Sequence, residues 1–331
     1  MTRDSPALAG VQECGRRSNL ETLAVVLEQP EQLVLSRLAL TPPGVSDVIV
    51  DIDWSGISTG TERLLYSGRM PPFPGLGYPL VPGYESVGTV TYAGDSTNRR
   101  VGDRVFVPGA RCYGDVRGLF GGAAARVVVP GARVVPIQKE LGETGVLIAL
   151  AATAHHALVD GDGRLPDLIV GHGVLGRLMA RIAQVLGAQP VVWERNAERA
   201  QGATGYQVLN PGEDTRRDYR CIVDVSGDPT ILDSLIARLA PAGEIVLAGF
   251  YDQPLAFTFP PAFMREARLR VAAQWRDSDL VAVTQMAESG RLSLDGLITH
   301  RQPASAAASA YRTAFSDPAC LKMVLDWRTC A

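Results

Sequence analysis

Residues 167–194, DLIVGHGVLGRLMARIAQVLGAQPVVWE, set a glycine loop between an apolar run and an amphipathic stretch, halfway along a chain of 331 residues. In such a loop Gly171 permits the tight turn, Gly173 lets backbone approach a pyrophosphate, and Gly176 lets the helix pack closely on the strand. The hexapeptide alone is a weak signal, and its context strengthens it. Leu168 to Val170 read as a buried strand, and Leu175, Leu178, Met179, Ile182, Ala183, Val185 and Leu186 form a helical apolar stripe. The first helical turn, with Val174 and Leu175, offers its unpaired amides to phosphate. The next strand ends in Glu194, close to the distance after the loop at which an acid binds the adenosine ribose hydroxyls. Glu194 therefore points to NAD, although the neighbouring Arg195 is the residue type that accommodates the 2′-phosphate of NADP. The plainer reading of Glu194 is a solvated strand end.

Composition narrows the partners. With 46% hydrophobic and 20% charged residues the chain can bury a large core, and its length suggests about two domains. A net charge of -3 without long basic runs argues against nucleic acid. The apolar stretch from Val146 to Val159 is broken by His155 and His156 and is too short for a membrane span. Cys14, Cys112, Cys221, Cys320 and Cys330 show no C-x-x-C pairing, which speaks against a zinc lobe or disulfide scaffold and for a reducing cytoplasm. Residues 1–20 lack an apolar period and read as a disordered extension, or as the product of a start codon placed too far upstream.

From Thr22 to about Pro136, short β-type runs alternate with turn clusters, as expected of a compact antiparallel barrel. A helix over Val146–Leu158 leads into the dinucleotide unit. Strands are expected beyond it at Gln207–Leu209, Cys221–Val225, Glu244–Ala248 and Leu269–Ala273, with a helix over Thr230–Leu239 between them. This alternation describes a doubly wound parallel sheet. The tail from Leu297 to Trp327 is too short for its own domain and is expected to return to the barrel. The resulting division is 21–150, 151–291 and 292–331, with a substrate cleft between barrel and sheet. An exposed strand of the sheet could pair edge to edge in a homodimer.

Taken in order, Ser55–Glu62 (SGISTGTE), Pro79–Val90 (PLVPGYESVGTV), Val101–Val105 (VGDRV), Gly121–Pro130 (GGAAARVVVP) and the glycine loop resemble the medium-chain dehydrogenase/reductase superfamily over roughly residues 21–329. The resemblance implies an α/β protein with a GroES-like antiparallel β-barrel catalytic domain and a Rossmann domain. Zinc members of that superfamily carry C-G-T-D in the first segment and G-H-E in the second. Here Ser58-Thr59-Gly60-Thr61-Glu62 and Gly83-Tyr84-Glu85 stand there instead, so the usual catalytic zinc site cannot be built. A rearranged site from Glu62, Glu85, His155 and His156 is the remaining metal reading. DIDWSGISTGTERLLYSGRMPPFPGLGYPLVPGYESVG and DPACLKMVLDW are similar to the bacteriochlorophyll-pathway branch of the superfamily. That likeness implies a bacteriochlorophyllide-type macrocyclic substrate whose 1-hydroxyethyl group is oxidised to acetyl with NAD.

Without zinc, the hydroxyl proton must be handled by side chains. Thr61 matches the family hydroxyl that begins the proton relay, and Thr153 the residue expected to touch nicotinamide. Thr61 reads equally well as a strand-end threonine bonded to backbone. Tyr84 is a candidate donor or acceptor but an unshifted phenol is a poor base. Glu85 suits an orienting role, and Glu62 either that or a structural one. Adjacent helical residues point about 100° apart, so at most one of His155 and His156 should face the cleft. Ser226 and Gly249 end later strands where a cofactor crosses the sheet edge. Phe73, Tyr78 and the segment Tyr113–Phe120 offer aromatic walls for a macrocycle. Two other functions fit the same residues: a zinc-free NADPH-dependent quinone or enoyl reductase, and a noncatalytic dinucleotide sensor.

Overall fold

The computed structural model describes residues 20–72 and 74–330, so the expectations for residues 1–19 and for Phe73 lie outside the described residues. The barrel expected between Thr22 and Pro136 is built from two sheets. In one, Glu21–Gln29 is flanked by Gln32–Ala39 and Leu80–Val81, with Arg117–Gly118 beyond. In the other, the long strand Asp47–Ile57 lies at the centre and pairs antiparallel with Ser86–Ala93, Arg126–Pro130 and Met323–Asp326. The barrel is not wholly antiparallel, since Leu80–Val81 runs parallel to Arg117–Gly118 and His300–Pro303 parallel to Met323–Asp326. Its core is dominated by β-branched residues, among them Val25, Val48, Val50, Val90, Val105 and Val127, which pack well on pleated faces.

A one-and-a-half-turn helix α1, Thr61–Tyr66, follows the central strand. Thr61 thus opens a helix instead of ending a strand. The chain then leaves the barrel through a 3-10 segment, Lys139–Leu147, and helix α2, Ile148–Val159. Eight apolar residues of α2 are buried and share one core with Tyr84, Val87 and Phe106 of the barrel and with Leu178, Met179, Ile182 and Ala183 of helix α3, Val174–Val185. The helix therefore cements barrel to sheet.

The second unit is a six-stranded sheet in the order Gln207–Leu209, Val191–Trp193, Leu168–Val170, Tyr219–Asp224, Leu239–Leu247 and Arg268–Val271, parallel throughout. The order reverses beside Leu168–Val170, which is where such sheets bind ligands. Helices α4 (Leu232–Ile236), α5 (Phe259–Met264) and α6 (Asp277–Glu288) follow along the chain. The helix expected over Thr230–Leu239 shrinks to α4 because Leu239 is drawn into strand pairing with Tyr219. Helix α7, Ala307–Ser316, lies between His300–Pro303 and Met323–Asp326, so the tail completes the barrel's sheet. Among the described residues, no helix is long and apolar enough to cross a membrane.

Candidate active site

A cavity of about 1120 Å³ opens between sheet and barrel, lined on one side by Gly171, Gly173, Glu194, Arg195 and Ser226 and on the other by Thr59, Gly60, Arg63 and Phe315. The glycine loop is built as its sequence requires. Gly171 sits at φ +106°, which side chains rarely adopt, and a Cβ on Gly176 would fall 1.8 Å from the Gly171 carbonyl. A Cβ on Gly173 would meet nothing within 4 Å, so this backbone faces open space at the amino end of α3. Val174 is buried beneath the loop, and Leu175 packs against the shared core. The Glu194 carboxylate rests on two backbone amides, accepting from His172 at 3.2 Å and Asn196 at 2.9 Å. Arg195 is largely exposed and lies 3.8 Å from Asp228. The Ser226 amide donates to buried Asp224, and Gly249 donates to the Asp224 carbonyl beside the cavity without lining it. These groups fit a dinucleotide: open backbone for its phosphates and a fixed carboxylate for a ribose diol.

His172, the variable residue between the first two glycines, has a role the sequence did not disclose. Burial pushes its imidazole down to about 4, so it is neutral at neutral pH. Its Nδ1 lies 2.6 Å from the Arg199 carbonyl, which can only accept, so Nδ1 carries the proton and Nε2 accepts from the Tyr206 hydroxyl at 2.8 Å. Arg177 donates to the carbonyls of His172, Arg199, Gln201 and Gly202. Together they lock the loop that follows Glu194.

On the barrel side, though neither lines the cavity, Tyr84 stands where zinc members hold histidine and Ser58 opens the segment that stands in place of C-G-T-D. Their oxygens are 2.7 Å apart, and the Thr61 hydroxyl lies 3.4 Å from the phenol. Ser58 escaped the sequence reading as a participant, although its place in S-T-G-T-E marked it. Burial and the nearby Glu85 push the Tyr84 phenol well above its ordinary value, so it stays neutral. Glu85 is fully buried and accepts from Lys322 Nζ at 2.6 Å, while Lys322 also donates to the Ile57 carbonyl at 3.1 Å. Glu62, also fully buried, accepts from the Ser58 amide at 3.0 Å and the Tyr311 hydroxyl at 2.5 Å, and burial raises its carboxyl to about 7. Both acids are thus committed to protein partners. Hydroxyl and phenol are not the ligands zinc favours, and among the described residues no three His, Cys, Asp or Glu side chains converge on a metal position. The donor set does not fit the zinc of the usual family site.

The two histidines, of which at most one was expected to face the cleft, both turn to the same partner. His155 Nδ1 and His156 Nδ1 lie 2.7 and 3.0 Å from the two oxygens of Asp279 on α6, because that single carboxylate spans both directions. Thr153 donates back to the Ala149 carbonyl within α2. None of the three lines the cavity. Of the expected aromatic walls, Tyr113 is buried in the barrel core and Tyr78 donates to the Leu65 carbonyl, both drawn inward to satisfy hydroxyls. Phe120 instead meets the Tyr84 ring edge-on at 5.2 Å.

Residues 44–139 match the alcohol dehydrogenase GroES-like domain. The chain is 58% identical over 318 residues to the 2-desacetyl-2-hydroxyethyl bacteriochlorophyllide A dehydrogenase of Cereibacter sphaeroides, covering 94% of this chain and 100% of that protein. The protein of the same name from Rhodobacter capsulatus is 56% identical, with 93% and 99% covered. Among solved structures, a short chain alcohol dehydrogenase of Escherichia coli CFT073 complexed with NADH aligns at a TM-score of 0.80 and 22% identity, over 92% of this chain and 99% of that one, a likeness of fold alone. With near full-length relatives above half identity and the superfamily's barrel and sheet both in place, the chain belongs to the medium-chain dehydrogenase/reductase superfamily, in the family of the bacteriochlorophyllide A dehydrogenases.

Proposed function

We propose that this protein oxidises the hydroxyethyl substituent of a bacteriochlorophyllide to an acetyl group, using NAD, with a hydroxyl relay in place of zinc. The observation that carries this reading is the Ser58–Tyr84–Thr61 hydroxyl cluster in the two segments that replace the family's metal motifs, in a chain 58% identical to a dehydrogenase of that name. Bound NAD supplies the hydride acceptor for the carbinol carbon. The substrate hydroxyl hydrogen-bonds to Tyr84. Because the phenol stays neutral, it passes a proton along by receiving one as it releases its own toward Ser58 or Thr61. Thr61 adjoins Thr59 and Gly60, which line the cavity, so the proton has a way out to water. Arg63, from α1, faces the glycine loop across the cavity and offers a cation to a pyrophosphate. His155, His156 and Thr153 serve through α2, and Glu85 and Glu62 brace the strand end that carries Ser58. Loss of the secondary alcohol's two hydrogens, one as hydride and one as proton, balances the reaction.

The test is spectroscopic. Purified protein with NAD and the hydroxyethyl pigment should produce a red-shifted absorption band as the acetyl group joins the conjugated ring. Turnover with NADPH on quinones or enones, and none with the pigment, would establish the reductase reading instead. A protein that binds the dinucleotide and turns over neither would be a sensor.

Cofactor choice follows from Glu194. A carboxylate held by two amides accepts from ribose hydroxyls and repels a 2′-phosphate. Glu194→Ala should lower kcat/KM with NAD by about 10- to 100-fold, the size of a lost charged hydrogen bond, and should narrow the preference over NADP. Equal use of the two cofactors by the unaltered protein would overturn the assignment.

The homodimer reading rests on the edge strand Arg268–Val271 and on α5, where Val271, Phe259, Phe263 and Met264 are all more than 60% exposed. We place the protein in the cytoplasm, where its cysteines would remain reduced.

A further inference from the structure

Tyr84 has aromatic neighbours from both units. Phe120 comes from the barrel, and Trp275 comes from the sheet, its ring centroid 6.1 Å from that of Tyr84 and tilted by 41°. Trp275 lies just beyond the carboxyl end of the edge strand Arg268–Val271, the end at which such sheets meet their ligands. The indole is half-buried, while Ala273 and Gln274 before it and Arg276 after it are exposed. It occupies a short irregular segment that is pinned at both ends. The Ala272 amide donates to the Leu247 carbonyl, and the Arg276 amide donates to Asp279 Oδ2 at 2.8 Å. Asp279 is in turn gripped by His155 and His156 of α2. A large apolar ring is thus held in place beside the phenol, yet left partly open to solvent.

A small alcohol would gain little from such a surface. A flat conjugated macrocycle whose reacting group projects from its rim needs one, because its oxidation site reaches Tyr84 only if the ring plane is also supported. Offset stacking of aromatic planes supplies both area and orientation. We propose that Trp275 is a specificity-determining residue, its indole forming the apolar face against which the macrocycle lies while the hydroxyethyl group meets Tyr84. The proposal rests on the substrate class given above. Asp279, with the two histidines, acts as the positioning residue for this face.

The alternative is that Trp275 merely buttresses Tyr84, and the two roles split in the kinetics. With the full chain, saturating NAD and the hydroxyethyl bacteriochlorophyllide, Trp275→Met should raise KM about tenfold while kcat stays within about threefold, and Trp275→Phe should keep KM within about threefold of the original. NADH affinity, read by fluorescence titration, should be unchanged in both, which also reports that each variant is folded. A KM for Trp275→Met within about twofold of the original, or a loss confined to kcat, overturns the proposal. If Trp275→Met does not fold, Trp275→Phe and Trp275→Tyr decide it, since loss of kcat alone in those flat-ringed variants would mark a buttress. If the unaltered protein neither binds nor oxidises the pigment, the functional reading itself fails, a result distinct from an active protein indifferent to position 275.

Discussion

Tyr84→Phe should lower kcat for the pigment alcohol by about 10² to 10⁴, the range that proton-transfer assistance contributes in enzymes, with NADH affinity unchanged. The phenol is hydrogen-bonded to both the Ser58 and the Thr61 hydroxyls. Its ring is held by Phe120 and Trp275, so phenylalanine preserves the packing and removes only the oxygen. Ser58, 4% exposed, loses its side-chain partner in the variant, and stability should fall by about 1 to 3 kcal/mol. Thr61→Val should cost less, because its 3.4 Å contact is longer and it stands one step down the relay. The pH dependence separates a neutral relay from a phenolate base. With burial holding Tyr84 protonated well past the ordinary phenol range, kcat should show no limb between pH 7 and about 9 that vanishes in Tyr84→Phe. Such a limb would mean that the phenolate is the base. A kcat within about threefold of the original would remove Tyr84 from the chemistry.

What the sequence reveals about this site depends on how local the physics is. The glycine loop, the strands around it and Glu194 are legible because turn, helix and acid fall within 28 consecutive residues, each constrained by its neighbours. Loss of the metal ligands is legible for the same reason, since the ligand positions sit in short motifs. The partners of those motifs are not. Glu62 meets Tyr311 from 249 positions away, Glu85 meets Lys322 from 237, and the histidine pair meets Asp279 from 124 and 123. No periodicity encodes such contacts. One signal was present: Lys322 interrupts the apolar run ACLKMVLDW, and a lysine within a strand-forming tail must find a buried acid or leave the core. Trp275 carried no signal, since its meaning arises only when α2 and α6 draw the two units together. Helix α1 was missed because its first turn is set by Glu62 bonding the Ser58 amide, a contact between residues that otherwise read as strand and turn.

Lys322→Met should destabilise the protein by about 3 to 5 kcal/mol at pH 8, the cost of leaving a buried charge without its partner. Both side chains of the Lys322–Glu85 pair are inaccessible to solvent, the lysine meets Glu85 Oε2, and Glu85 Oε1 has no hydrogen-bond partner among the described residues. Glu85 Oε2 lies 2.3 Å from where a Cβ on Gly56 would stand, so the carboxylate is packed directly against the backbone of the central strand. Even with Lys322 in place, burial holds the Glu85 carboxyl above its ordinary value, and removing the cation raises it further. A carboxyl raised on folding favours the folded state fully only below its unfolded value, and that contribution is lost as pH rises through the folded value. The deficit of Lys322→Met relative to the original should therefore shrink as pH falls from 8 to 5. Glu85→Gln combined with Lys322→Met should recover at least half of it at pH 8, because no buried charge then remains. Urea unfolding of the three proteins at both pH values provides the check. A deficit below about 1 kcal/mol at pH 8, as for exposed pairs, would show that water reaches the pair. A deficit independent of pH would trace the loss to lysine's packing against the strand Asp47–Ile57 and its bond to the Ile57 carbonyl, and not to the stranded carboxylate.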